Sequence, residues 1–138
     1  MLQSFFLFIP LFLTAMPPSS NISAYDEAKH VTFLEQNFTK ARQIVQSLQK
    51  KQISIGTATK SLGTILAKCR HVQALLTKTI ETPSRINSKR FLKLLQVQSL
   101  FEAYLTSEVL ALDGDKDSEL FGRALELRLM KTIPAFRP

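Results

Sequence analysis

One cysteine, no tryptophan and only four glycines in 138 residues set the first limits. A lone thiol, Cys69, cannot build an intrachain disulfide framework, so the disulfide-rich secreted scaffolds are excluded. Six prolines add little breakage, because Pro10, Pro17 and Pro18 all fall near the start. Strand signals are missing as well: no segment alternates with period two, and no Asn-Gly hairpin dipeptide occurs. There is no Walker loop, nucleophile elbow, zinc helix or dinucleotide glycine pattern, so nothing selects a catalytic pair or a cofactor.

Charge is missing in two places. Residues 1–25 carry no charged side chain. Between Lys40 and Lys93 the only acid is Glu81, against twelve basic residues, a local net of +11 in a chain of +7 overall. Residues 25–39 and 94–138 each carry a net of −2. An imbalance in blocks of this kind creates a directional field and bears on partners rather than on fold.

The uncharged start contains the apolar run Phe5–Met16, closed by Pro17, Pro18, Ser19 and Ser20. It is shorter than the roughly 20 residues of a comfortable membrane span and fits the hydrophobic region of a secretory signal. Cleavage is expected near Ala24, with an anchor retained at residues 5–16 as the alternative. The expected division is thus 1–24 as signal or anchor, 25–133 as the folded domain and 134–138 as a tail. Export would make Asn21 and Asn37 candidate glycan acceptors.

Past the signal, periodicity of 3.6 dominates. Val31, Leu34, Phe38, Ala41, Val45 and Leu48 share one face of a helix predicted over Asp26 to Lys51. Gly56 ends that pattern and Thr57 is a candidate cap. Ala58, Leu62, Ile65, Cys69, Val72 and Leu76 form the stripe of a second helix. Thr82-Pro83-Ser84 punctuates the chain. A third helix, starting at Ser84 or Ser88 and ending at Leu112, has Phe91, Leu94, Leu95, Phe101, Leu105, Val109 and Leu112 on its core face, edged by Val97 and Tyr104. It is the most apolar helix and the expected centre. A fourth covers Asp117 to Lys131, with Leu120, Ala124 and Leu127 predicted inward, widened by Phe121, and Glu119 paired with Arg123. Ile133 to Pro138 is expected to leave the helix at Pro134. Four helices joined by short loops predict an all-α, antiparallel up-down four-helix bundle.

Three constellations invite a chemical reading and fail it. Asp113, Asp115 and Asp117 begin like a calcium loop, but the positions requiring Gly and Glu hold Ser118 and Ala124. An acidic cap on the fourth helix is the better account. Glu27 and His30 have the spacing of a di-iron ligand pair without the partners such a site needs, and read as a surface pair. Cys69 sits inside an apolar stripe and reads as a buried thiol. The dibasic pairs Lys50-Lys51 and Lys89-Arg90 fall in or beside helices, where processing is disfavoured.

Binding is therefore the expected work of a small exported helical domain. Lys40, Lys51, Lys60, Lys78, Lys89 and Lys93 are the candidate contacts for an anionic partner: an acidic protein patch, an anionic lipid or a polysaccharide. The plain alternative is a solvated face. Nucleic acid is the default partner of a basic surface, but an exported chain would rarely meet it. The other readings are a membrane-anchored adaptor, a cytokine-like secreted ligand and an intracellular nucleic-acid binder.

Overall fold

A computed structural model describes residues 26–80 and 89–136. The Phe5–Met16 run, the expected cleavage point, Asn21 and the Thr82-Pro83-Ser84 punctuation lie outside the described residues. Those described form four α-helices and no strand: α1 Glu27–Gln49, α2 Ile55–Ile80, α3 Lys89–Leu112 and α4 Lys116–Thr132, followed by a 3-10 turn at Pro134–Phe136. The architecture is an antiparallel up-down bundle. Residues of α1 pair in parallel order with α3, His30 with Gln98 and Phe38 with Phe101 and Tyr104. The α3 and α4 helices run opposite ways, with Glu108 beside Gly122 and Arg90 bonded to Phe136.

Local chemistry sets the helix ends. Asp26 caps α1 by accepting from the Lys29 amide at 3.2 Å. At the far end the Gln52 N–H bonds Ser47 and the Lys51 N–H bonds Leu48, closing a Schellman turn. Its left-handed position, normally glycine, is held by Lys51 at φ 59°. The next helix begins earlier than expected. Ser54, not Thr57, is the cap, accepting from the Thr57 amide at 3.1 Å, and Gly56 lies inside the first turn of α2. Asp115 caps α4 by accepting from Asp117 and Ser118, both at 3.1 Å, after a turn in which Gly114 supplies φ 94°.

The core is centred on α3, which packs against all three other helices. Phe101, Tyr104, Leu94 and Leu105 are fully buried there, and Phe38 of α1 meets both aromatic rings edge-on at 6.1 and 5.6 Å. The stripes of α1 and α2 face inward as their spacing predicts, through Val31, Leu34, Phe38 and Ala41, and through Ala58, Leu62, Ile65, Cys69 and Leu76.

The α4 helix presents the opposite face from the one predicted. Leu120 is 66% exposed, Phe121 55% and Leu127 62%, with Ala124 also exposed, whereas Leu125 and Leu129 are buried. The inward set is Gly122, Leu125, Leu129 and Ile133. Gly122 sits at the contact with α3: a Cβ there would come within 2.7 Å of the flexible end of Glu108 and into ordinary contact with Ser107 at 3.5 Å. The bare backbone lets α4 approach α3 closely along that line. Past Ile133 the chain turns back, so that Phe136 is buried against the core.

Candidate functional site

Cations at the start of a helix oppose the positive end of its dipole. The first turns of α3 nonetheless carry Lys89, Arg90 and Lys93 and no acid. They form one bank of a groove of about 550 Å³ between α3 and the end of α4, with Arg128 and Thr132 opposite. Val97, Leu100, Ala135 and Phe136 supply the apolar part of its lining, and no acidic residue contributes. Arg90 is structurally committed: its guanidinium donates to Glu27 and to the Phe136 carbonyl and stacks 5.1 Å over the Phe136 ring. Lys89, Lys93 and Arg128 are exposed.

Of the six lysines singled out in the sequence, the structure brings Lys89 and Lys93 into this groove. The other four are exposed elsewhere: Lys40 on α1, Lys60 and Lys78 on α2, and Lys51 beside a shallower hollow at the α1–α2 turn. Arg128 was missed by sequence reasoning. It lies outside the Lys40–Lys93 block, in a stretch, 94–138, whose net charge of −2 conceals it.

The interior holds a polar relay at mid-height. The Gln98 side chain is fully buried on α3. Its amide nitrogen donates to Glu102 at 3.0 Å and to the Cys69 carbonyl at 3.4 Å. Its carbonyl is left to accept from His30 at 2.9 Å, so the imidazole carries a proton on Nε2. His30 is buried rather than on the surface as expected, because it lies on the face of α1 packed against α3, where it meets Gln98. Burial holds its pKa below the ordinary histidine value, against the opposing pull of Gln98 and Glu27. Burial, with the nearby Glu102 charge, pushes the Cys69 thiol up to about 12. A thiol so held is not a nucleophile at neutral pH.

At the other end of the bundle, acids cluster. Glu126 accepts from Arg42 at 2.8 Å, Glu119 from Arg123 at 3.1 Å, and Glu108 lies between them over Gly122. Burial first, then Glu126 and Glu119, pushes the Glu108 carboxyl up to about 7, opposed by Arg123. Tyr104 is buried beside this cluster, and its hydroxyl finds no partner among the described residues. Among the described residues no three His, Cys, Asp or Glu side chains are placed to hold a metal ion. Asp115 serves as a cap. Asn37 is buried with its amide donating to the Phe33 carbonyl at 2.9 Å, so the folded surface does not present it to a glycan.

Fold and groove together define a small helical bundle with a concave, basic surface between α3 and the end of α4. No protein-family model matches the chain, and neither a curated protein nor a solved structure is significantly similar to it. No helix among the described residues is long and apolar enough to cross a membrane.

Proposed function

We propose that this protein is an exported helical binding domain whose α3–α4 groove receives an acidic segment of a partner protein. The observation carrying this reading is the groove lining: Lys89, Lys93 and Arg128 around an apolar floor, with no acid among them. Lys89 sits in the first turn, where the dipole of α3 disfavours a cation. A concave, partly apolar lining favours side chains over a flat membrane surface. A segment with one or two carboxylates flanking an apolar residue matches both parts of it. Lys40, Lys51, Lys60 and Lys78 add to the long-range field that draws such a partner in. The apolar, uncharged start supports export.

The test is binding of a labelled peptide containing Glu-Leu-Glu, followed by fluorescence anisotropy. Converting Lys89 and Lys93 to Glu should weaken binding by about tenfold or more, whereas converting Lys40 and Lys60 should mainly slow association. Equal affinity in the Lys89→Glu, Lys93→Glu double variant and the wild type would overturn the assignment. Mass spectrometry of the native N-terminus tests export separately: a product beginning near Tyr25 supports it, and one beginning at Met1 opposes it.

A further inference from the structure

The outward face of α4 places large apolar side chains in water. Leu120, Phe121 and Leu127 are each more than half exposed, and Ala124 lies among them. At about 100° per residue these four positions span roughly a third of the helix circumference. A stripe of this kind commonly marks a contact surface.

The stripe has an order that narrows its occupant. From the first turn to the last, the outward positions read Asp117, Leu120, Phe121, Ala124, Leu127, Arg128, Lys131. The sequence of types is complementary to its own reverse about Ala124. Turned end for end, Asp117 meets Lys131, Phe121 meets Leu127, Leu120 meets the aliphatic stem of Arg128, and Ala124 meets itself. We propose that α4 packs against α4 of a second copy, antiparallel, about a two-fold axis passing through Ala124. Such an isologous contact uses the same patch on both copies. The small residue at the crossing lets two helix axes approach to about 8–10 Å. A parallel pairing would oppose Asp117 to Asp117 and Lys131 to Lys131. The chain's own apolar run, Phe5–Met16, has no charge to offer either residue.

One helix face per copy is smaller than the roughly 800 Å² per partner of a standard interface. The dimer therefore belongs with the weak, reversible contacts.

The experiment uses the chain as purified from cells, followed by sedimentation velocity over a wide concentration range. Asp117→Lys and Lys131→Asp each turn two attractions into two repulsions and should each weaken association about tenfold. The double variant Asp117→Lys, Lys131→Asp should restore it. Ala124→Cys should give a disulfide-linked dimer under mild oxidation at least about tenfold faster than Thr64→Cys on the exposed side of α2, because only position 124 meets itself within disulfide reach. Cys69 is buried and does not compete. All substituted sites are exposed, and circular dichroism verifies that the helices persist. A chain that stays monomeric throughout, a double swap no better than the single ones, or equal linking at positions 124 and 64 overturns the proposal. So does association indifferent to Asp117→Lys, which would place the contact elsewhere, for example on residues 5–16.

Discussion

Replacing Glu108 by Gln should change how stability varies with pH, in a direction fixed by the geometry around Gly122. The Glu108 carboxyl is half-buried between Glu119 and Glu126, and it titrates near 7 instead of the ordinary 4.5. Below about pH 4.5 it is protonated in both the folded and unfolded chain and adds no pH dependence. Between 4.5 and 7 the unfolded chain releases the proton while the folded chain keeps it, so folding stability falls as pH rises. Above 7 both states are ionised and the loss is complete. Each tenfold in proton affinity is worth about 1.4 kcal/mol. Discounted for the water that still reaches the carboxyl, the loss amounts to about 1–2 kcal/mol. Gln keeps the shape and cannot ionise. Urea unfolding of both proteins from pH 4 to pH 8 reads the effect of Glu108 and its coupling to Glu119 and Glu126, because titrating groups remote from them cancel in the difference. Glu108→Gln should gain about 1–2 kcal/mol on the wild type as pH rises through that window. A difference that stays flat, or that moves the other way, would refute the argument and place the carboxyl in contact with a cation or with bulk water.

Tyr104→Phe removes a buried hydroxyl that lacks a partner among the described residues, and should raise stability by about 1 kcal/mol, or a few degrees in a thermal melt; a lower melting temperature would show that the hydroxyl is satisfied. The two faces of α4 can be compared directly. Leu129→Ala in the core should cost about 2–5 kcal/mol in denaturant unfolding, while Leu127→Ala on the outside should stay within about 0.5 kcal/mol at concentrations where the chain is monomeric. Equal losses would mean that α4 is rotated from the orientation described.

The first three helices were legible because each carries one dominant apolar stripe. In α1 and α2 the steps of three and four leave no competing face. In α4 two stripes coexist, Leu120–Phe121–Ala124–Leu127 and Leu125–Leu129–Ile133, and the bulkier one points outward. What separates them is the packing of Gly122, Leu125 and Leu129 on α3, a tertiary contact that the hydropathy of α4 by itself does not signal. The polar relay was hidden for another reason. Gln98 interrupts an apolar helix, and its partner His30 lies 68 residues away; only the packing of α1 on α3 joins them. The basic groove was half visible. Lys89 and Lys93 stand in the positive block, but Arg128 lies outside it, in the stretch 94–138 whose net charge is −2, and the antiparallel return of α4 carries it across.

Arg90 holds together three parts of the chain that are made at different times: Glu27 in the first turn of α1, its own place at the head of α3, and the Phe136 carbonyl after α4. The clasp cannot close until Phe136 has left the ribosome. One end of the bundle thus stays open throughout synthesis of the helices. A chain that remains unlatched for so long stays loose at that end until the last of these three parts has been made.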